Sequence, residues 1–384
     1  MLRTTRRISW PWATLALLLC AQGAHAQINA SVDSFELTLE GYANATTAFA
    51  NERSSNVSIE DGDPRVDAAL RALLRWTNVS GPDVGLRAVV ERSPEKGADL
   101  AETSLLIFGH GGRLEIGDRQ GLPDVLLGYA PNPFTFTGAE FGPASGPSLD
   151  PGGGLQAAFF GAPLAGRIRD LAVLGFAASL SDDRSAKVLY VTPKTGGWLA
   201  GVSYAANASD PRFEDLAQAG LAHDTYWDAN VLHVGGSYSF AHAANAEGVS
   251  RRDVHSINVG ATLVLDYDWM LGASITYDGI SGLPYSERNL RSPSNSWGSV
   301  VSVNYNFGAW TAGAFVQRAT RDSDVARPGT DVLTAFEAGL SYRVSTRLRL
   351  YGAWYGFDLD DEDQAPDTDR HHGQIFLFGL RATL

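Results

Sequence analysis

Hydrophobic and polar residues alternate along most of the chain after residue 26. In the segment RVDAALRALLRW (65–76), Val66, Leu70 and Leu74 fall on one face, and the other face carries most of the charged residues. Strict alternation is the pattern of a β-strand with two unlike faces. Similar runs recur as far as the C-terminal segment 371–384. The pattern therefore predicts an all-β protein built from many strands.

Two architectures use such strands: a soluble β-sandwich, which buries its apolar faces, and an outer-membrane β-barrel, which turns them towards lipid around a polar lumen. The polar faces here combine full charges and amides with many glycines, as a crowded aqueous lumen would. Aromatic residues lie at the strand ends, where the interfacial girdles of a barrel are expected. They are Tyr42, Trp76, Trp198, Trp269, Tyr277, Trp297, Trp310 and Tyr342. These features favour a transmembrane antiparallel β-barrel.

Connections between the predicted strands alternate in length, like the short periplasmic turns and long outer loops of such barrels. Tight turns are predicted at 80–82, 110–112, 194–197, 266–268, 307–309 and 344–346. Long polar loops are predicted at 51–64, 93–101, 207–226, 280–295, 321–331 and 358–370. An even-stranded barrel leaves room for four strands between the longest connection and residue 253, but five strand-like runs occur there: 155–160, 168–180, 186–192, 197–206 and 228–240. We predict sixteen strands, with 155–160 or 168–180 belonging to the long connection.

The N-terminal residues have the form of an export signal. Three arginines precede the apolar stretch 10–20, and the small-x-small motif AHA ends at Ala26. We predict a signal peptide at 1–26 with cleavage after Ala26, so that the mature barrel comprises 27–384. The apolar stretch is too short for a membrane-spanning helix, which needs about 20 residues.

Removal of this peptide changes the chemistry that is available. Cys20, the only cysteine, leaves with it, so the mature chain can form no disulfide, zinc–thiolate site or cysteine nucleophile. The three arginines leave as well, which takes the formal charge from −13 to −16. A charge of this sign disfavours nucleic acid as a partner. It suits a channel that holds cations nearby.

The segment ETSLLIFGHGGRLEIGDRQG (102–121), with the export signal and the alternating strands, resembles the trimeric general porins of Gram-negative outer membranes, closest to the alphaproteobacterial type. A Gly-x-Leu-x-x-Gly pattern, here Gly112, Leu114 and Gly117, closes the fifth strand of those porins before the pore loop. The segment VLYVTPKTGGWLAGVSY (188–204) resembles the strand pair that follows the loop. The chain departs from the family by ending in Leu384 instead of an aromatic residue. The resemblance implies a homotrimer among outer-membrane lipid and lipopolysaccharide, with passive diffusion of small hydrophilic solutes and ions.

The long connection 119–154 is rich in Pro, Gly and aromatic residues and has no sustained period. The resemblance places a constriction loop here, folded into a lumen that a barrel of about 16 strands would otherwise leave wide. Acids of this region and bases of neighbouring strands would then form opposed walls, whose transverse field favours polar solutes. The candidate constriction residues are Asp118, Asp124, Glu140, Asp150, Arg71, Arg75 and Arg87. The alternative is that these charges are ordinary solvated or paired groups.

Other candidate chemistry is weaker. The acidic segment 357–369 offers carboxylates for loosely bound calcium, but it lacks the glycine turn of an EF-hand and fits a solvated outer loop. We expect no cofactor and no dedicated metal site. His223, Asp224 and several serines have no spacing that marks a catalytic set, so we do not expect an enzyme.

Three functional classes stay open on the sequence. We expect a passive diffusion porin with a mild preference for cations. A substrate-selective channel of the same fold, for a sugar, phosphate or another small nutrient, is the alternative. Four aromatic residues in the long connection keep it open: Tyr129, Phe134, Phe136 and Phe141. A barrel enzyme or an adhesin is the third class.

Overall fold

The computed structural model describes residues 27–52, 65–93, 97–126, 183–244, 250–279, 281, 296–322, 330–360 and 370–383. These residues form seventeen β-strands and one short helix, α1 (Leu122–Leu126). The strands are β1 (Gln27–Val32), β2 (Phe35–Glu52), β3 (Arg65–Trp76), β4 (Asp83–Ser93), β5 (Gly97–Gly109), β6 (Gly112–Asp118), β7 (Ala186–Val191), β8 (Trp198–Asn207), β9 (Phe213–Trp227), β10 (Asn230–Ala243), β11 (Val254–Leu265), β12 (Trp269–Gly279), β13 (Ser296–Phe307), β14 (Trp310–Asp322), β15 (Thr330–Arg343), β16 (Leu348–Asp360) and β17 (Arg370–Thr383). Within these ranges, no helix has the length and apolar character needed to span a membrane.

Sixteen of the strands, β2–β17, form one closed antiparallel ring. Each strand pairs with the next along the chain, and β17 returns to pair with β2 from Gly373↔Glu52 to Thr383↔Tyr42. The short strand β1 also pairs with β2, from Gln27↔Glu40 to Val32↔Phe35. It lies along the same edge of β2 as β17 does, beyond the C-terminal end of β17. The predicted sixteen-stranded antiparallel barrel is confirmed.

The polarity of the two faces of this ring is the reverse of that in a soluble protein. Outward-facing aliphatic side chains are exposed, for example Leu86 at 57% and Val301 at 62%. Inward-facing polar side chains such as Gln218 and Glu115 are buried at 3% and 1% exposure. Exposing so much apolar surface to water is unfavourable, so the outward face is one that lies against lipid.

Outward aromatic pairs mark the short-turn end of the barrel. Trp269 stacks on Tyr305 with ring centroids 4.3 Å apart, and Trp310 lies 4.6 Å from Tyr342. These positions fit an interfacial girdle. Tyr42 is an exception to the predicted set, because it faces inwards and carries the Arg381 guanidinium 4.8 Å from its ring centroid.

Two of the predicted long loops are largely strand. The range 93–101 belongs mostly to β4 and β5, and most of 207–226 belongs to β9. The period of β9 is broken by Asp215, which has a positive φ of 53°, and by a register shift opposite β10 between Phe240 and His242. An even-stranded barrel requires four strands between the long connection and residue 253, and these are β7–β10. The runs 155–160 and 168–180 lie outside the described residues.

Candidate functional site

A network of charged side chains lies on the inward face of β4–β6. Alternation along these strands turns Arg87, Glu102 and Glu115 towards the lumen, on the face opposite exposed residues such as Leu86, Leu105 and Ile116. Arg119, which directly follows β6, joins them. The side chains of these four charged residues are at most 7% exposed.

Each glutamate of this network bridges arginines. Arg87 Nη2 lies 3.0 Å from Glu102 Oε2 and 3.3 Å from Glu115 Oε2. Arg119 lies 3.0 Å from Glu115 through Nε and 3.3 Å from Glu102 through Nη1. Arg113 Nε adds a contact of 2.8 Å to Glu115 Oε1. Three arginines and two glutamates give this arginine–glutamate network (Arg87, Glu102, Arg113, Glu115 and Arg119) one net positive formal charge.

The three predicted basic residues all lie on the inward face, each beside a carboxylate of its own side of the barrel. Arg71 forms an ion pair with Glu40, its register partner on β2. Arg75 Nη2 lies 2.5 Å from Asp83 Oδ2, and Arg87 belongs to the network. Acids and bases therefore alternate along one stretch of wall, β2–β6, among the residues that the structure describes.

The four predicted acidic residues have different positions. Asp118 ends β6 on the outward face, exposed, with Thr103 Oγ1 3.5 Å from its Oδ2. This position corrects the prediction for Asp118, because alternation along β6 turns Glu115 inwards instead. Asp124 lies in α1, but its side chain is outside the described parts, as are Glu140 and Asp150 altogether.

Sequence reasoning missed four members of the network: Glu102, Arg113, Glu115 and Arg119. The signal for Glu115 was present in the alternation of β6, where it lies between the outward-facing Leu114 and Ile116. Its link to Arg87 depends on the pairing of three strands, because Arg87 lies opposite Ser104 and Glu115 lies opposite Leu106. That register is not readable from one strand.

The helix α1 holds the first turn of the predicted constriction loop against the inner wall. Leu122 and Leu126, at 0% and 2% exposure, pack with Leu189. Gly201 and Gly220, which pair across β8 and β9, form a glycine seat beneath them. A Cβ on Gly201 would lie 2.6 Å from Leu122 Cδ1, and one on Gly220 would lie 3.0 Å from Leu126 Cδ1. The loop therefore begins inside the barrel; residues 127–154 lie outside the described residues.

Hydrogen bonds tie both ends of α1 to this wall. At its start, the Leu122 backbone N–H donates to Gln218 Oε1 at 2.9 Å. At its end, the Leu126 carbonyl lies 3.3 Å from Nε2 of His233 on β10, whose Nδ1 pairs with Asp224. The Leu126 carbonyl and the Asp224 carboxylate are both hydrogen-bond acceptors. His233 can therefore donate to both only when its imidazole carries two protons. Lys194 and Tyr226 also contact Asp224.

This geometry predicts that His233 holds the end of α1 against the wall. His233→Ala removes the ring nitrogen that lies 3.3 Å from the Leu126 carbonyl, so we expect larger fluctuations of the open-channel current in planar-bilayer recordings. His255→Ala, at an exposed outward-facing position on β11, is the matched control and should fluctuate as the wild type does. Equal fluctuations in His233→Ala and in the wild type would contradict the assignment.

Asp183 fixes the point at which the chain enters β7. Its Oδ2 accepts hydrogen bonds from the Ser209 N–H and Oγ at 2.5 and 2.7 Å, and Lys187 Nζ lies 3.2 Å from its Oδ1. Burial opposes ionisation, but the charge of Lys187 and hydrogen bonds from Ser185 and Ser209 outweigh it and hold the pKa of Asp183 below its ordinary value. The stability it contributes is therefore present at neutral pH and is lost as pH falls through the lowered pKa.

No three His, Cys, Asp or Glu side chains are grouped as metal ligands within the described ranges. Most of the acidic segment 357–369 lies outside those ranges. Loosely bound calcium there stays a prediction.

Comparison with solved structures finds the same fold in bacterial porins. An anion-selective porin from Comamonas acidovorans matches with a TM-score of 0.61 at 16% identity, over 91% of this chain and 100% of that chain. OmpF of Salmonella typhi, in a complex with daunomycin, matches with a TM-score of 0.59 at 12% identity, over 92% and 100%. A mutant of the Rh. blastica porin gives a TM-score of 0.52 at 14% identity, over 90% and 99%. At these identities the likeness shows the fold alone.

Sequence comparisons add the family. No curated protein matches this chain significantly. The profile that describes Gram-negative porins matches residues 13–363, a range that contains β1–β16. With its lipid-facing exterior, polar lumen and closed ring of sixteen strands, the chain belongs to the Gram-negative porin family, whose members are outer-membrane channels and not enzymes.

Proposed function

We propose that this porin is a general diffusion channel for small hydrophilic solutes and ions, with a mild preference for cations. The observation that carries the proposal is the inward face, which presents charged and polar side chains around the ring and holds α1 against its wall. Such a face suits hydrated solutes in general. It offers no charged cage around a single ligand within the described residues.

The constriction would combine two parts. One is the arginine–glutamate network on β4–β6, and the other is the loop that begins at α1. Asp124, Glu140 and Asp150 remain proposed members of the loop part. Arg71, Arg75 and Arg87 remain proposed members on the wall, where ion pairs hold them in place.

The proposed cation preference rests on the charge of the whole mature chain. A formal charge of −16 raises the concentration of cations in the lumen. The local network, with one net positive charge, opposes it, so the preference should be mild. It should also weaken at high salt, because the Debye length falls from about 10 Å at 0.1 M to about 3 Å at 1 M.

A homotrimer in the outer membrane, among lipid and lipopolysaccharide, is the proposed assembly. Asp118 and Thr103 face outwards next to Ile116, within the apolar belt of β5 and β6. A carboxylate in contact with lipid tails is unfavourable, and burial of this face against a second copy would shelter it. We further propose cleavage of residues 1–26 after Ala26, since β1 begins at Gln27, and loosely held calcium at the acidic outer segment.

Planar-bilayer recording of the purified protein tests the channel. We expect stepwise ion conductance, a reversal potential of small cationic sign in a KCl gradient, and a decline of that potential as salt rises. On gels the protein should run as a heat-modifiable oligomer from the outer-membrane fraction. A soluble periplasmic monomer, or a protein that inserts without conducting, would contradict the proposal.

A further inference from the structure

Three arginines form a row across the inward face of β15–β17, at the short-turn end of the barrel. Arg343 is the last residue of β15 and lies directly opposite Arg349, the second residue of β16. Arg349 in turn lies directly opposite Arg381, near the end of β17. Alternation places all three on the lumen side, opposite the face that carries the exposed Tyr342 and Leu350. We call these three residues the arginine row.

Two members of the arginine row are accessible. Arg343 and Arg349 are exposed, whereas Arg381 is 7% exposed and its guanidinium lies 4.8 Å from the centroid of the Tyr42 ring. Arg343 Nη2 donates to the Gly308 carbonyl at 3.2 Å, which uses only one of the N–H donors of its guanidinium. A solute at this end of the lumen can therefore reach Arg343 and Arg349, and Arg381 adds positive charge beside them.

Like charges are concentrated in this row. Directly opposed residues of antiparallel strands have Cβ atoms about 4.5–5.5 Å apart, and like charges at such positions destabilise the sheet. A fourth arginine, Arg347, lies in the turn between β15 and β16. Within the described strands, no acidic residue falls on the inward face of β16 or β17. Glu337, the nearest acid on the inward face of β15, is about 20 Å along the strand from Arg343. A bound anion would offset this repulsion.

We propose that the arginine row binds oxyanions with two or more negative charges, such as phosphates and polycarboxylates, at the short-turn mouth of the channel. The inference rests on the proposed channel function and adds a solute-binding site to it. A guanidinium presents its donors as a planar fork, which matches the paired oxygens of a carboxylate or a phosphate. Neighbouring strands lie about 4.8 Å apart, so one polyvalent anion can contact Arg343 and Arg349 at the same time.

This site differs from the arginine–glutamate network, from which β2 and β3 separate it in the ring. In the network, buried glutamates already contact the arginines. The row instead presents two exposed guanidinium groups to the lumen. An anion with a single charge can neutralise only one of them and should bind weakly. The mild cation preference of the channel in KCl is therefore expected to persist beside a local site for polyvalent anions.

Interruption of the ion current by citrate tests this site on the mature channel in planar bilayers, in about 0.1 M KCl without divalent cations, where the Debye length is about 10 Å. Noise analysis gives the half-saturating citrate concentration. In the double variant Arg343→Gln, Arg349→Gln this concentration should rise roughly tenfold, because each exposed ion pair contributes a factor of up to about five. Gluconate has as many carbon atoms as citrate but only one carboxylate, so it should interrupt the wild-type current less than citrate does.

Arg318→Gln is the matched control, because Arg318 is an exposed arginine on the outward face of β14; this variant should bind citrate as the wild type does. The single variant Arg349→Gln should raise the half-saturating concentration by a smaller factor, so the site stays testable if the double variant does not assemble. Three results would each overturn the inference: no citrate interruption in a conducting wild type, unchanged citrate affinity in the row variants, or equal interruption by gluconate. A wild type that inserts without conducting ions would overturn the channel function instead.

Discussion

Replacing Glu115 by glutamine is expected to move the reversal potential towards anions and to destabilise the barrel. Glu115 contacts Arg87, Arg113 and Arg119 within 3.3 Å, so the change raises the net charge of the arginine–glutamate network from one to two positive units. Breaking a buried ion pair on one side costs about 3–5 kcal/mol. Zero-current potentials in a KCl gradient measure the first effect, and urea titration of the folded protein measures the second.

Glu91→Gln is the matched control for Glu115→Gln. Glu91 lies on the inward face of β4 and pairs with Arg184 at 2.7 Å, but both side chains are more than a quarter exposed. Exposed ion pairs contribute about 0–1 kcal/mol, so this variant should shift the potential slightly and leave stability nearly unchanged. Equal effects of the two substitutions would show that the network has no special place in the conduction path.

The double variant Leu122→Ala, Leu126→Ala is expected to raise single-channel conductance and weaken size exclusion. Both side chains are buried on the glycine seat, and shortening a buried leucine to alanine costs about 2–5 kcal/mol. Loss of this packing should free α1 from the wall, and with it the start of the proposed constriction loop. Conductance and partitioning of polyethylene glycols of graded size measure the outcome.

Lipid-facing leucines supply the control for this double variant. Leu221 on β9 and Leu271 on β12 face outwards at 47% and 38% exposure, so Leu221→Ala, Leu271→Ala removes the same atoms without touching α1. Its conductance should equal that of the wild type. If the α1 variant also conducts as the wild type does while it is still folded, the proposed constriction does not depend on the glycine seat.

The ring could be predicted from the sequence because its cause is local. A strand with one face to lipid and one to water must alternate, and alternation is visible in runs such as 65–76. The prediction was wrong for 207–226, where positive φ at Asp215 and a register shift interrupt the period of β9. Polar composition then made a long strand resemble a loop.

The charged site was harder to predict because it depends on neighbours in space. In a strand, a step of one residue exchanges the two faces, so Asp118 points outwards although Glu115, three positions earlier, points inwards. The pairing of Arg71 with Glu40 spans two strands, and the contacts of Arg87 span three. Such partners follow from inter-strand register, which no single segment of the chain contains.

The seam between β17 and β2 imposes an order on assembly. Tyr351 on β16 donates to Asn44 on β2 at 2.8 Å, across a separation of 307 residues. Bringing together residues so far apart in the chain costs about 5 kcal/mol of chain entropy, and the contacts at the seam offset this cost only after they have formed. Every other pairing of the ring joins strands that are consecutive in the chain, so the sheet can grow early, but it keeps two unpaired edges until β17 arrives. Unpaired edges promote aggregation. Loss of the final strand would therefore yield an open, self-associating sheet, and not a narrower pore.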